Sequence, residues 1–227
     1  MIEFLFLDLD DTILDFKKAE YIAIGRTIAD FGVEPTEEIR HRYHIINKWH
    51  WEQLELGKLT RAEVLENRFK VLFSELGMDV DAEKVARTYE KNLGTGHWFL
   101  PGAEEAVDSL HKKYRLFLAS NGTASVQKGR MTSANLYRFF ETVFVSQEIG
   151  HNKPSRAYFD ACFAQIPGFD PEKCLMVGDS LSSDILGGIN AGVKTCWVNP
   201  GHADCGETKP DYEIEALAQL PELLKSL

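Results

Sequence analysis

Two rhythms of apolar residues alternate along this chain, and each predicts a different kind of element. Five short runs rich in β-branched and aromatic residues are Ile2–Leu9, Tyr114–Ala119, Thr142–Val145, Cys174–Val177 and Lys194–Val198. They read as buried strands, because a strand covered on both faces is apolar throughout. Between the later runs, apolar positions recur at helical spacing over Glu104–Lys112, Ser125–Leu136, Ala157–Gln165 and Leu181–Ala191, with a last helix over Pro221–Leu227. Such alternation predicts βαβ units, and so an α/β fold: a Rossmann-like, doubly wound parallel sheet with helices on both faces.

Residues 16–95 break this rhythm and hold no convincing strand. Phe16–Phe31 reads as a helix stopped by Gly32, a residue free to take the left-handed conformation. Thr36 is placed to cap Glu37–Leu56, whose first turn is acidic where the helix dipole favours it. Thr60-Arg61-Ala62-Glu63 matches a capping box opening Arg61–Leu76, and Asp81 can cap a fourth helix running to Gly94 and Gly96. The expected organisation is a catalytic core of residues 1–15 and 96–227 with an all-α cap, residues 16–95, inserted after the first strand.

Charge and cysteine content narrow the partners. The 227-residue chain carries a formal net charge of -10 and no basic stripe. A nucleic-acid polymer is therefore an expected non-partner, whereas a small phosphorylated metabolite held by a few local cations and a metal is compatible. The apolar start, Met1–Leu9, is short, lacks a basic leader and runs into acidic residues, so it does not read as a secretory signal. No segment has the roughly 20 apolar residues of a membrane span. Cys162, Cys174, Cys196 and Cys205 show no CxxC spacing, and three of them lie in apolar runs. They read as reduced thiols, and the address as cytoplasmic. A monomer or a small homo-oligomer is expected.

In an open parallel sheet, ligands bind beyond the carboxyl ends of the strands. Here those ends carry Asp8-Leu9-Asp10-Asp11-Thr12, Ser120-Asn121-Gly122, a loop with Lys153-Pro154, and Gly178-Asp179-Ser180 followed by Asp184. Each cluster alone has a plainer explanation as helix caps, turn residues or a solvated lysine. In conjunction they assemble carboxylates, a hydroxyl and a loop cation at one edge, the groups that phosphoryl transfer needs.

With these residues in place the sequence resembles the haloacid dehalogenase superfamily over essentially its whole length. The signature Asp-x-Asp-x-Thr, Ser/Thr, Lys, Gly-Asp-x-x-x-x-Asp is met by Asp8, Asp10 and Thr12, Ser120, Lys153, and Gly178, Asp179 and Asp184. The resemblance implies an Mg²⁺-dependent phosphatase with Asp8 as nucleophile and Asp10 as general acid, then base. Mg²⁺ would be held by Asp8, Asp179 and the Asp10 main-chain carbonyl. Ser120, Lys153 and amides near Asn121 and Gly122 would hold the transferring oxygens, and Asp184 would orient Lys153 or a metal-bound water. Asp11 is expected to turn away and cap.

An acidic Asp10 argues against the dehalogenase and ion-pump branches. A phosphomutase uses the same groups, and a non-enzymatic binding module is disfavoured by the intact acid–base and metal set. For substrate, Asn47-Lys48-Trp49-His50-Trp51, Arg68-Phe69, Gln127 and the run Asp184–Gly192 resemble bacterial house-cleaning pyrimidine nucleoside 5'-monophosphatases. A 5'-nucleotidase is thus expected, with Asn47 and Trp51 at the base. Phosphoglycolate or a sugar phosphate is the alternative. Trp49 and Trp51 read equally as cap core.

Overall fold

The computed structural model describes residues 1–227. Its centre is a six-stranded, all-parallel sheet: β1 (Phe4–Leu7), β2 (Arg115–Ser120), β3 (Thr142–Val145), β4 (Cys174–Gly178), β5 (Lys194–Val198) and β6 (Tyr212–Ile214). The spatial order β3-β2-β1-β4-β5-β6 makes β1 the point from which the chain winds in both directions. β1 shows why both faces are covered. Phe4 and Phe6 join Phe117, Phe144, Tyr158, Phe159 and Met176 on one face, while Leu5 and Leu7 join Leu116, Leu118, Leu175 and Val177 on the other. Alternation of side chains along a strand sends neighbours to opposite faces.

The five expected strands are present, with β1 confined to Phe4–Leu7 so that Asp8 begins the loop beyond it. β6 was not expected. It is three residues long, bounded by polar residues, and pairs only with β5. The last segment is a short helical turn, Leu220–Leu223, between tighter turns rather than one helix.

Residues 16–93 form four helices, α1 (Phe16–Asp30), α2 (Glu37–Glu55), α3 (Arg61–Glu75) and α4 (Ala82–Leu93). Local sequence sets their ends. Asp15, Thr36 and Asp81 accept from the backbone amides of Lys18, Ile39 and Lys84, and Thr60 with Glu63 forms the expected capping box. Gly32, at φ 80°, ends α1, with the Val33 amide donating back to the Ile28 carbonyl. The four helices share their own apolar cluster, including Ile24, Ile28, Tyr43, Phe69, Phe73, Val85 and Tyr89. After them come α5 (Ala103–Leu110), α6 (Ala124–Ser133), α7 (Ser146–Ile149), α8 (Arg156–Phe163), α9 (Leu186–Ala191) and α10 (Leu220–Leu223). Cys162, Cys174 and Cys196 are buried free thiols, as expected. No helix is long and apolar enough to cross a membrane.

Candidate active site

The carboxyl ends of β1, β2 and β4 converge on a cavity of about 430 Å³ roofed by α1 and α2. Asp8 is 6% exposed and is fixed at the end of β1 by its amide, which donates to Val177 O of β4 at 2.9 Å. Past it the chain turns tightly, with the Ile13 and Leu14 amides returning to Leu9 O. Asp11 takes a left-handed φ of 56°, and its Oδ1 accepts from the amides of Phe16 and Lys17. Its side chain thus caps α1 and stays out of the cluster around Asp8, as the sequence indicated.

Lys153 is 1% exposed and spends all three ammonium protons. It donates to Asp8 Oδ1 at 2.7 Å, Asp184 Oδ1 at 2.6 Å and Ala119 O at 2.6 Å. Burial opposes its charge, but Asp184 and Asp8 outweigh that and raise its pKa. Asn121 holds the loop in place: its Oδ1 accepts from Lys153 N at 2.8 Å and its Nδ2 donates to Lys153 O at 2.9 Å. The Asn121 side chain is therefore a clamp on Lys153, with its amide oxygen and nitrogen both engaged.

On β4, Gly178 is required by close approach, since a Cβ there would collide with the Asp184 carboxylate. Asp184 Oδ2 accepts from Ser180 N at 3.0 Å, and Trp197 Nε1 donates to Asp179 O at 2.8 Å, so both acids are braced. The turn carrying Asp184 is a π-helical turn, Leu181–Ile185, widening the backbone at the point where the acid enters the cavity.

Asp8, Asp179 and Asp184 each bring a carboxylate oxygen within 4.8 Å of the others. Burial, aided by Asp184 and Asp10 and opposed by Lys153, pushes the Asp8 pKa up to about 8. Burial, with Asp184 and Asp8, likewise raises Asp179 well above the ordinary carboxylate range. A buried set of hard oxygen donors whose charges repel, with one lysine to offset them, is suited to a hard divalent cation such as Mg²⁺. Asp184 enters this cluster with its two oxygens already bonded to Lys153 and Ser180.

Ser120 Oγ accepts from Gly122 N at 3.1 Å and from Gln127 Nε2 at 2.8 Å. With both lone pairs engaged, its proton is left to donate. Gln127 Nε2 also donates to Asp10 Oδ2 at 2.7 Å, and Arg130 pairs with Asp10 Oδ1. Arg130 is wholly buried, and its Nε donates to Gly96 O at 3.0 Å. Sequence reading missed Arg130. The available signal was a Gln and an Arg three residues apart on α6, between the buried Val126 and Met131.

Above these groups the walls come from α1, α2, α3 and α4. Trp51 lines the cavity, but Trp49 is 52% exposed on the outer side of α2. Asn47 is buried and largely spoken for. Its Oδ1 accepts from Trp51 Nε1 at 3.1 Å and Arg68 Nη1 at 2.7 Å, and its Nδ2 donates to Glu20 Oε1 at 2.6 Å. One amide proton remains for a ligand. Glu20, Arg68 and His44, which pairs with Glu20 at 2.6 Å, line the same space and were not singled out as a group.

The sequence pattern of the haloacid dehalogenase-like hydrolases matches residues 5–198. The chain belongs to that family. It is 37% identical over 224 residues to pyrimidine 5'-nucleotidase PynA of Streptococcus pneumoniae, covering 98% of this chain and 94% of that one. It is 30% identical over 223 residues to pyrimidine 5'-nucleotidase YjjG of Escherichia coli, covering 98% and 97%. The magnesium-bound crystal structure of YfnB from Bacillus subtilis superposes with a TM-score of 0.94 at 37% identity, covering 98% of each chain. L-2-haloacid dehalogenase from Xanthobacter autotrophicus, at 18% identity and a TM-score of 0.78, shares the fold. Membership makes this haloacid dehalogenase-like protein a hydrolase and an enzyme, and Asp8, Asp10, Lys153, Asp179 and Asp184 of its motifs line one cavity.

Proposed function

We propose that this chain is an Mg²⁺-dependent phosphomonoester hydrolase working through an aspartyl phosphate on Asp8, with pyrimidine nucleoside 5'-monophosphates as substrates. The observation carrying this reading is Asp8 itself: a buried carboxylate held at 2.7 Å by a lysine that also grips Asp184, facing a cavity beside Asp10 and Asp179. In the first step an Asp8 oxygen attacks phosphorus while Asp10 gives a proton to the departing ester oxygen. In the second, Asp10 takes a proton from the attacking water, the Asp8–phosphorus bond breaks, and orthophosphate leaves. Gln127 and Arg130 hold the Asp10 side chain between these transfers, which typically contribute about 10²–10⁴-fold each. Ser120 and the Asn121 amide steady the transferring oxygens, while Lys153, bonded to Asp8, sets positive charge beside them. Asp8, Asp179 and the Asp10 main-chain carbonyl would hold Mg²⁺, which when bound offsets repulsion between carboxylate and phosphoryl group. Residues 16–95 act as a cap that excludes water and reads the remainder of the substrate.

Support for the nucleotide comes from the two relatives named pyrimidine 5'-nucleotidases and from Trp51 in the cavity wall. A sugar phosphate is the second reading, favoured by the polar walls and by a full-length relative, at 29% identity, named glyceraldehyde 3-phosphate phosphatase in Pyrococcus furiosus. Hydrolysis of a panel spanning both classes decides between them. The highest kcat/KM is expected for pyrimidine nucleoside 5'-monophosphates, and no nucleotide hydrolysis would reject the substrate assignment.

Trp51 and Asn47 should behave differently. Trp51→Ala is expected to lower kcat/KM for nucleotides by about 1–3 kcal/mol, as for one lost stacking contact, and to spare p-nitrophenyl phosphate. Asn47→Ala strands buried Glu20 and Arg68, so it should lower Tm and harm both substrates alike. Equal losses from Trp51→Ala would contradict its role at the base.

The carboxylate cluster also sets a stability prediction. Asp8 and Asp179 hold their protons more tightly folded than unfolded, so the metal-free folded state binds more protons between the unfolded value of 3.8 and about 8. Stability of the metal-free protein therefore falls as pH rises through that window. Asp179→Asn should raise the metal-free Tm at pH 8 and abolish the upward Tm shift on adding Mg²⁺. A wild-type Tm indifferent to Mg²⁺ would rule out this cluster as the binding site.

A further inference from the structure

Arg61, the first residue of α3, reaches from the helical unit to the far side of the Ser120–Gly122 turn. Its Nη1 donates to the main-chain oxygens of Asn121 and Gly122, each at 3.0 Å. Its Nη2 donates to Ser146 Oγ at 2.5 Å and Asn152 Oδ1 at 2.6 Å. All four acceptors lie outside residues 16–95, on segments following β2 and β3. On its own side the arginine opens a helix whose start is fixed by the Thr60–Glu63 capping box, and the Trp51 ring centroid lies 5.5 Å from the guanidinium. The contact at the opposite rim is slighter, a single bond from Ser182 Oγ to Glu55 at 2.8 Å.

The choice of carbonyls matters. The C=O of Asn121 and the N–H of Gly122 belong to one conjugated peptide unit, so a cation on the oxygen strengthens that N–H as a donor. The Gly122 N–H is the one that donates to Ser120 Oγ, whose own proton no acceptor takes up here. A hydrogen-bonded relay thus runs from Arg61 through one peptide to the Ser120 hydroxyl. The second carbonyl, of Gly122, polarises the Thr123 N–H in the same way. Lysine could not substitute, because four oxygens in two directions call for the planar fork of a guanidinium.

From this geometry, and resting on the hydrolase reading above, we infer that Arg61 is a positioning residue that couples closure of the helical unit to completion of the phosphoryl-binding turn. When α3 swings away the turn loses its cation and the relay together. When it closes, both return. By linkage, a phosphate in the turn favours the closed unit by the same factor that closure favours phosphate.

The test compares wild type, Arg61→Lys and Arg61→Gln, all with Mg²⁺, by calorimetric binding of orthophosphate and by p-nitrophenyl phosphate turnover. Spin labels on α3 and α8 report the distance between the units. Orthophosphate affinity is expected to fall about tenfold or more in both variants, and orthophosphate should no longer shorten the label distance. The cavity of about 380 Å³ beside Arg61, lined by Thr60, Ser146, Gln147 and Asn152, is wide enough to admit free guanidinium. Added guanidinium, unlike ethylammonium, should therefore restore orthophosphate binding at least fivefold in Arg61→Gly. Wild-type orthophosphate affinity in a folded Arg61→Lys would overturn the coupling. If wild type cleaves no phosphomonoester yet the variants lose orthophosphate binding, the hydrolase reading falls and the coupling stands.

Discussion

Asp8→Asn is expected to lower kcat by about 10⁴-fold or more, at least about 5 kcal/mol of transition-state stabilisation, with the fold intact. The amide has the shape of the carboxylate and can still accept from Lys153, so the cavity keeps its packing. It cannot attack phosphorus, because the amide oxygen lacks the carboxylate's negative charge. Removing one of three repelling buried acids should also leave the metal-free protein at pH 8 no less stable than wild type, since the carboxylate it replaces has its pKa pushed up to about 8. Circular dichroism with steady-state kinetics separates the effects. Residual turnover within about tenfold of wild type would show that Asp8 is not the nucleophile.

The largest effect on stability is expected at Lys153. Its ammonium is the one cation bonded to both Asp8 and Asp184, and it is 1% exposed. Lys153→Met leaves those acids facing each other and strands the Ala119 carbonyl. Removing one partner of a buried pair costs about 3–5 kcal/mol. For a chain of 227 residues, at roughly 2–4 °C per kcal/mol, Tm should fall by about 6–20 °C, with turnover lost. The deficit should shrink at pH 4, where the stranded acids take up protons, and in excess Mg²⁺, which replaces part of the missing charge. A Tm unchanged at pH 8 would mean that the lysine contributes nothing net to the cluster.

How much of this was legible in the sequence follows from the range over which each feature is encoded. Helix ends at Thr36, Thr60 and Asp81 are written within four residues, and all three caps appear where the sequence puts them. The strands β1 and β4 are continuous apolar runs, as a strand covered on both faces should be. β6 was not legible because Tyr212-Glu213-Ile214 is too short to show a period and takes its conformation from β5. The motif residues could be placed at one edge by topology alone. The clasp of Gln127 and Arg130 on Asp10 could not, because it spans more than a hundred residues of separation. Trp49 and Trp51 could have been told apart, since residues two apart on a helix point about 200° from each other. Only one of them could face the cavity, and it is Trp51.

The covalent intermediate on Asp8 can be trapped chemically. Enzyme mixed with substrate and Mg²⁺ is quenched in acid within one turnover, reduced with borohydride and mapped by mass spectrometry. Borohydride converts an aspartyl phosphate to homoserine, so homoserine is expected at position 8 and nowhere else, absent without substrate and absent in Asp8→Asn. A phosphoryl group found on Ser120, or full turnover with position 8 never modified, would contradict it.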